Sequence, residues 1–271
     1  MMPGRFADDV AACADAGCNA LEVWLTKLET HLEREAPAAT RRLLADRGVT
    51  LAAASYQGGL LLSQGEQRRT HYDQFQRRLS LCQEFGIGTL LIAPDFATEL
   101  DASALERAVG ALRHAAQLAS AFDVRLALEF QSSSRWCASL DTALALVAAA
   151  DAPNLGIAFD VFHYYTGPSK FEDLGALTAD RLAFVQLCDL AGVPRELAVD
   201  ADRILPGDGD FQLGPLLDHF RRIGYQGWVS AEVPNPDLWK MNPLRVAEAA
   251  VTALRRLLGQ AGMPPELTRA L

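Results

Sequence analysis

No apolar run in this 271-residue chain is long enough to cross a bilayer as a helix. Basic residues never form a block. They come in short pairs, Arg41-Arg42, Arg68-Arg69 and Arg221-Arg222, within helical patterns and against a formal charge of −9. That balance excludes the basic stripe of a nucleic-acid binder and places each pair on a solvated face. Cysteines number five, an odd and scattered set without a C-x-x-C pair, and the amino terminus carries no secretory pattern. A disulfide framework is excluded, and reduced thiols buried as small hydrophobes in a cytoplasm are expected. Histidines are also five, and only His163 sits at a strand end. His31, His71, His114 and His219 fall in helical or pre-helical contexts and are expected at the surface. A His-rich multi-zinc nuclease site is therefore excluded. No glycine-rich phosphate fingerprint follows the first strand. GDGDFQLG around Gly207 comes late and reads as a tight turn feeding a helix. No Pro/Ser-rich linker divides the chain, so residues 1–271 read as a single domain.

Half of the residues are hydrophobic. Strand-like runs occur near Asn19–Trp24, Thr50–Ser55, Thr89–Ala93, Val124–Phe130, Leu155–Asp160, Leu182–Cys188 and Trp228–Val233. Helical patterns occur near Arg5–Ala16, Pro37–Arg47, Arg69–Phe85, Ser103–Phe122, Leu140–Ala149, Leu213–Ile223 and Pro243–Leu258, with a helical turn expected at Pro264–Leu271. This alternation predicts an α/β fold with a parallel sheet and right-handed crossovers. A (β/α)8 TIM barrel uses about 250 residues as one domain. Such a barrel needs one more strand, and MMPGRFADDVAACADAG at the start looks helical, so the first strand is missing or atypical.

Four apolar runs end on an oxygen-bearing side chain: VRLALEF on Glu129, LGIAFD on Asp160, LAFVQLCD on Gln186 and WVSAEV on Glu232. Each run reads as a buried parallel strand. A carboxylate at such a strand end is costly to bury unless it is paired, hydrogen-bonded or bound to a metal. By alternation Ala127 and Glu129 share one face while Leu126 and Leu128 share the other. A small Ala below an inward Glu leaves room for a ligand. Three carboxylates and an amide oxygen make an all-oxygen set suited to Mg2+ or Mn2+, with Co2+ or Zn2+ as alternatives. His163 competes between substrate contact or acid/base work and a structural role. Arg203 could clamp substrate oxygens, or pair with Asp200 or Asp202. Trp24, Tyr56, Gln57 and Asp95 end earlier strands and are further pocket candidates.

The stretches AGCNALEVW, VRLALEF, FDVFHYYTGPSKFEDL and DADRILPGDGDFQLGPLLDHFRRIGYQGWVSAEV, with the following NPDLW, carry a resemblance. The chain resembles the xylose-isomerase-like TIM-barrel superfamily of sugar isomerases and epimerases, and within it the inosose isomerases. The resemblance implies an eight-stranded barrel and a divalent metal held by Glu129, Asp160, Gln186 and Glu232. It also implies His163 near the substrate, with Glu129 and Glu232 as the acid/base pair. One departure is Gln186, where inosose isomerases carry a metal-binding His; some 3-dehydroshikimate dehydratases of the superfamily resemble this chain in using Gln.

The expected function is a metal-dependent isomerase or epimerase of a keto-sugar or keto-inositol, working through a metal-stabilised enediolate. A lyase, acting on 3-dehydroshikimate or by β-elimination from a keto-glycoside, would use the same machinery. A barrel serving only as a binding subunit is a third reading. The expected partner is a small polyhydroxylated ketone, with neither nucleic acid nor membrane, and a homodimer or hetero-oligomer is compatible with the fold.

Overall fold

The computed structural model describes residues 4–95, 101 and 103–261; the expected turn at Pro264–Leu271 lies outside them. Seven strands are present among the described residues: β1 (Ala20–Trp24), β2 (Thr50–Gln57), β3 (Thr89–Ile92), β4 (Arg125–Glu129), β5 (Leu155–Asp160), β6 (Leu182–Leu187) and β7 (Val229–Ala231). Ten helices lie between and around them. They are α1 (Phe6–Asp15), α2 (Leu25–Leu32), α3 (Pro37–Arg47), α4 (Gly65–Phe85), α5 (Ala104–Ser120), α6 (Leu140–Ala150), α7 (Val161–Thr166), α8 (Leu213–Arg222), α9 (Pro236–Trp239) and α10 (Pro243–Leu257). The strands are hydrogen-bonded in sequence order. This is the β-α-β alternation read from the sequence, and seven strands is one fewer than an eight-stranded barrel holds.

Local chemistry sets the helix ends. Pro37 starts α3 with a residue whose missing N–H would have lacked a partner there. Ser139 caps α6 by accepting from the Thr142 N–H at 3.3 Å. Asn242 caps α10 by accepting from the Leu244 N–H at 2.9 Å.

The chain divides into two compact units, Met1–Ala52 with Gln186–Leu271, and Ala53–Val185. In the second unit β2, β3, β4 and β5 pair in parallel. Every residue of β5 and β6 is buried, as expected for parallel strands covered on both faces. Ala53, Leu91, Ala127, Ala158, Ala183 and Phe184 form one buried cluster. Glu129 pairs with Ala158 across β4 and β5. Alternation then puts Glu129 on the same face as Ala127, and Asp160 on the same face as Ala158. Both carboxylates therefore follow a buried alanine on their own face; the strand pattern predicted this for Glu129 and Ala127.

In the first unit α1 packs against α3 and α10. The Thr50 N–H donates to Asn19 O at 2.8 Å where β2 begins beside β1, and the Glu232 N–H donates to Leu187 O at 3.0 Å beside β6. Three helices escape the sequence reading: α2, α7 and the four-residue α9. Both α2 and α7 follow a strand with no intervening turn, so no Gly or Asn marks their start. His219, expected at the surface, is buried on α8.

Candidate functional site

Glu129, Asp160 and His163 form a buried cluster in the second unit. One ligand atom from each lies within 4.8 Å of the others. His163 Nε2 is 3.6 Å from Glu129 Oε1 and 3.6 Å from Asp160 Oδ2. The cluster is assembled locally. β4 ends on Glu129, and β5 ends on Asp160, whose Oδ1 accepts the Phe162 N–H at 2.8 Å and so caps α7. The first turn of α7 then carries His163 back over the strand end. His163 is thus a helical residue one turn past β5 rather than part of the strand end itself.

The tautomer of His163 follows from its other neighbour. The Ser132 backbone N–H donates to Nδ1 at 3.4 Å, and Ser132 Oγ lies 3.2 Å from the same nitrogen. A backbone N–H can only donate, so Nδ1 accepts and the ring proton of the neutral imidazole sits on Nε2. Nε2–H faces the two carboxylates, which makes His163 a donor toward the cluster. Gln131 Nε2 donates to Glu129 Oε2 at 3.0 Å, which orients that carboxylate. Cys137 is buried near Glu129. Burial first, and then the charge of Glu129, push its thiol up to about 12.

The first unit holds the other strand-end residues. Gln186 is buried at the end of β6, and its Nε2 donates to Glu22 Oε1 at 2.9 Å. That bond fixes which way the amide points. Gln186 Oε1 is buried and has no hydrogen-bond partner among the described residues. An orphaned buried oxygen of this kind is costly in isolation, and a cation would satisfy it. Glu22 was not a candidate from the sequence; it sits mid-strand in ALEVW, and only the fold brings it to Gln186.

Arg203 is buried and bridges two carboxylates. Its Nη2 donates to Asp200 Oδ1 at 2.6 Å and its Nη1 to Glu232 Oε2 at 3.2 Å. Asp202 Oδ2 accepts the Val199 N–H at 2.9 Å. The loop bearing Arg203 is held by Asp189, another residue with no assigned role in the sequence reading. Asp189 accepts backbone N–H groups from Leu190 at 2.9 Å, Phe211 at 2.9 Å and Gly207 at 3.0 Å. Gly209 presses so close that a Cβ there would sit 2.4 Å from Asp189 Oδ1, which explains the second glycine of GDGD.

The remaining candidates divide. Asp95 accepts backbone N–H groups from Gly59 at 2.9 Å, Leu62 at 2.5 Å and Ser63 at 3.2 Å, tying down the loop after β2. Gln57 is buried and held by Arg78 Nη1 at 3.3 Å. Tyr56 and Trp24 are exposed.

Within the second unit the donor chemistry fits a divalent cation: two carboxylates at adjacent strand ends, nearly sealed from water. A divalent cation would neutralise two buried like charges this close.

Known proteins agree with this architecture. The family model described as xylose isomerase-like TIM barrel matches residues 10–257. The chain is similar to 3-dehydroshikimate dehydratase of Pseudomonas aeruginosa, 28% identical over 260 residues, covering 95% of this chain and 40% of that protein. It is also similar to inosose isomerase of Bacillus subtilis, 24% identical over 187 residues, covering 68% of this chain and 66% of that one. The chain thus spans about two fifths of the dehydratase and about two thirds of the isomerase. Among solved structures, the IOLI protein with a bound zinc atom superposes with a TM-score of 0.88 at 18% identity, over 96% of this chain and 95% of that one. D-psicose 3-epimerase superposes with a TM-score of 0.74 at 19% identity, over 95% of both chains. The chain belongs to the xylose isomerase-like TIM barrel family.

Proposed function

We propose that this chain is a divalent-metal-dependent isomerase or epimerase of a keto-sugar or keto-inositol. The observation that carries this reading is the buried cluster of Glu129, Asp160 and His163 at the carboxyl ends of β4 and β5. In TIM barrels that end of the strands bears the chemistry. Glu129 and Asp160 are proposed ligands of Mn2+ or Mg2+. Gln186 and Glu232, which end the next two strands, are the other proposed oxygen ligands.

When bound, the metal supplies Lewis acidity at a carbonyl oxygen and so acidifies the adjacent C–H. The residues do the rest. One of Glu129 and Glu232 removes the α-proton, and the other returns a proton at the neighbouring carbon. Through Nε2–H, His163 donates a hydrogen bond to the substrate hydroxyl. Arg203 holds Glu232 in one orientation.

A dehydratase reading is favoured by two observations. Gln186 points its amide oxygen free, and the dehydratase relative aligns over 95% of the chain where the isomerase aligns over 68%. Both readings share α-proton removal and differ in whether a β-hydroxyl then departs.

The test is turnover of inosose, 3-dehydroshikimate and a 3-keto-glycoside by Mn2+-loaded protein. Interconversion of inosose, abolished in a folded Glu232→Gln variant, is the expected result. Release of water from 3-dehydroshikimate would move the assignment to the dehydratase. No turnover of any of them by metal-loaded protein would refute both.

A further inference from the structure

We propose that Cys13 and Cys18 form a redox-active dithiol that reduces a small hydroperoxide, with Cys18 as the attacking thiol and Cys13 as the resolving one. The pair is made by the end of α1. Gly17 takes a left-handed conformation, φ 72°. The Gly17 N–H then donates to Ala14 O at 2.9 Å and the Cys18 N–H to Cys13 O at 2.9 Å. This is the 5→2 and 6→1 pattern that closes a helix, and it brings the side chain just past the turn against the one three positions before the helix end. Those two side chains are Cys18 and Cys13. Both thiols converge on one acceptor, Ala20 O, at 3.1 Å from Cys18 Sγ and 3.5 Å from Cys13 Sγ. Both are reduced in this structure.

The two sulfurs have different surroundings. Cys13 is buried, and Asp9 adds negative charge beside it. Cys18 is only partly buried and lines a cavity of about 100 Å3 together with Trp228, Val251, Leu254, Arg255 and Leu258. Arg255 Nη2 donates to Gly17 O at 2.8 Å, which sets its guanidinium next to Cys18. The Cys13 thiol first, and the Arg255 charge after it, draw the Cys18 thiol below the ordinary thiol range against its burial, while the same contact and burial push Cys13 upward. Cys188 also lies beside a guanidinium, 3.9 Å from Arg203 Nη1, but is fully buried. Cys82 and Cys137 are buried and pushed up to about 12.

The chemistry balances. The Cys18 thiolate attacks the terminal oxygen of ROOH, the O–O bond breaks, and RO− leaves to take a proton from water. The product is Cys18 sulfenic acid. Cys13 then attacks Cys18 Sγ and loses its proton as hydroxide departs, which together make water. Two thiols become one disulfide, and the peroxide is reduced to ROH and H2O. The cavity is large enough for hydrogen peroxide or a short alkyl hydroperoxide.

Hydrogen peroxide is the probe. Trypsin cuts after Arg5 and Lys27, so both thiols and no other cysteine fall in one peptide. Peroxide treatment of the folded protein should lower that peptide's mass by about 2 Da. In Cys13→Ser, dimedone should trap a sulfenic acid on Cys18; in Cys18→Ser, nothing should be trapped on Cys13. In wild-type protein at pH 7, iodoacetamide should modify Cys18 at least about tenfold faster than Cys82 or Cys137. Its rate should titrate below the ordinary thiol range, with a midpoint that rises in Arg255→Gln. An unchanged peptide mass after peroxide, or equal alkylation rates for all five thiols, would overturn the proposal. Both readings come from wild-type protein, so misfolding of a variant would not shield it.

Discussion

Replacing Asp189 by Asn should loosen the loop that carries Arg203. The substitution keeps shape and removes only the charge and one acceptor oxygen. In the native protein Oδ1 accepts from Leu190 and Phe211, and Oδ2 from Gly207. An asparagine can keep two of these bonds with its amide oxygen. Its NH2 group would then face the Gly207 N–H, donor against donor. One hydrogen bond to a charged acceptor is lost, worth about 1.5–3 kcal/mol, and a backbone N–H is stranded, costing about 1–3 kcal/mol. These overlap, and a total near 3 kcal/mol is expected. For a chain of this length m in urea is about 3 kcal/mol/M, so the midpoint should fall by about 1 M. Equilibrium unfolding followed by far-UV circular dichroism measures it. A shift under about 0.2 M would refute the claim that this carboxylate holds the loop.

Three further outcomes follow from the site. Glu22→Leu removes the acceptor that orients the Gln186 amide, so metal affinity measured against a competing chelator should fall by about 10- to 100-fold while the fold survives. Arg203→Met leaves Glu232 without its guanidinium partner and should cost about 3 kcal/mol in chemical denaturation, a figure at the lower end because Asp200 is largely exposed. His163→Phe should retain the metal and lose about 10²- to 10⁴-fold in kcat, since it removes a proton donor rather than a ligand; equal loss of metal would show the imidazole to be a ligand instead.

The strands were legible because parallel strands covered on both faces read as unbroken apolar runs. VRLALEF and LGIAFD locate Glu129 and Asp160 to the residue. Alternation also put Glu129 above Ala127, and Ala127 lies in a buried cluster with Ala53 and Ala158. What escaped was whatever depends on contacts distant in sequence or on helices without punctuation. Glu22 and Gln186 are 164 residues apart, and nothing in ALEVW marks its carboxylate for an amide. α7 was hidden because its cap is Asp160, already assigned to the end of the strand. The orientation of His163 depends on Ser132, 31 residues earlier. Cys13 and Cys18 looked unrelated because their pairing comes from a helix-ending turn at Gly17, not from a C-x-x-C spacing.

The central claim is that Asp160 and Glu129 hold a divalent cation. Protein stripped with a chelator should be titrated with Mn2+, the free ion being followed by electron paramagnetic resonance. Wild-type protein should take up one equivalent tightly. Asp160→Asn should bind at least about 10-fold more weakly, since asparagine still caps α7 but lacks the charge. Uptake by the folded variant equal to wild type, or no uptake by either, would contradict the account.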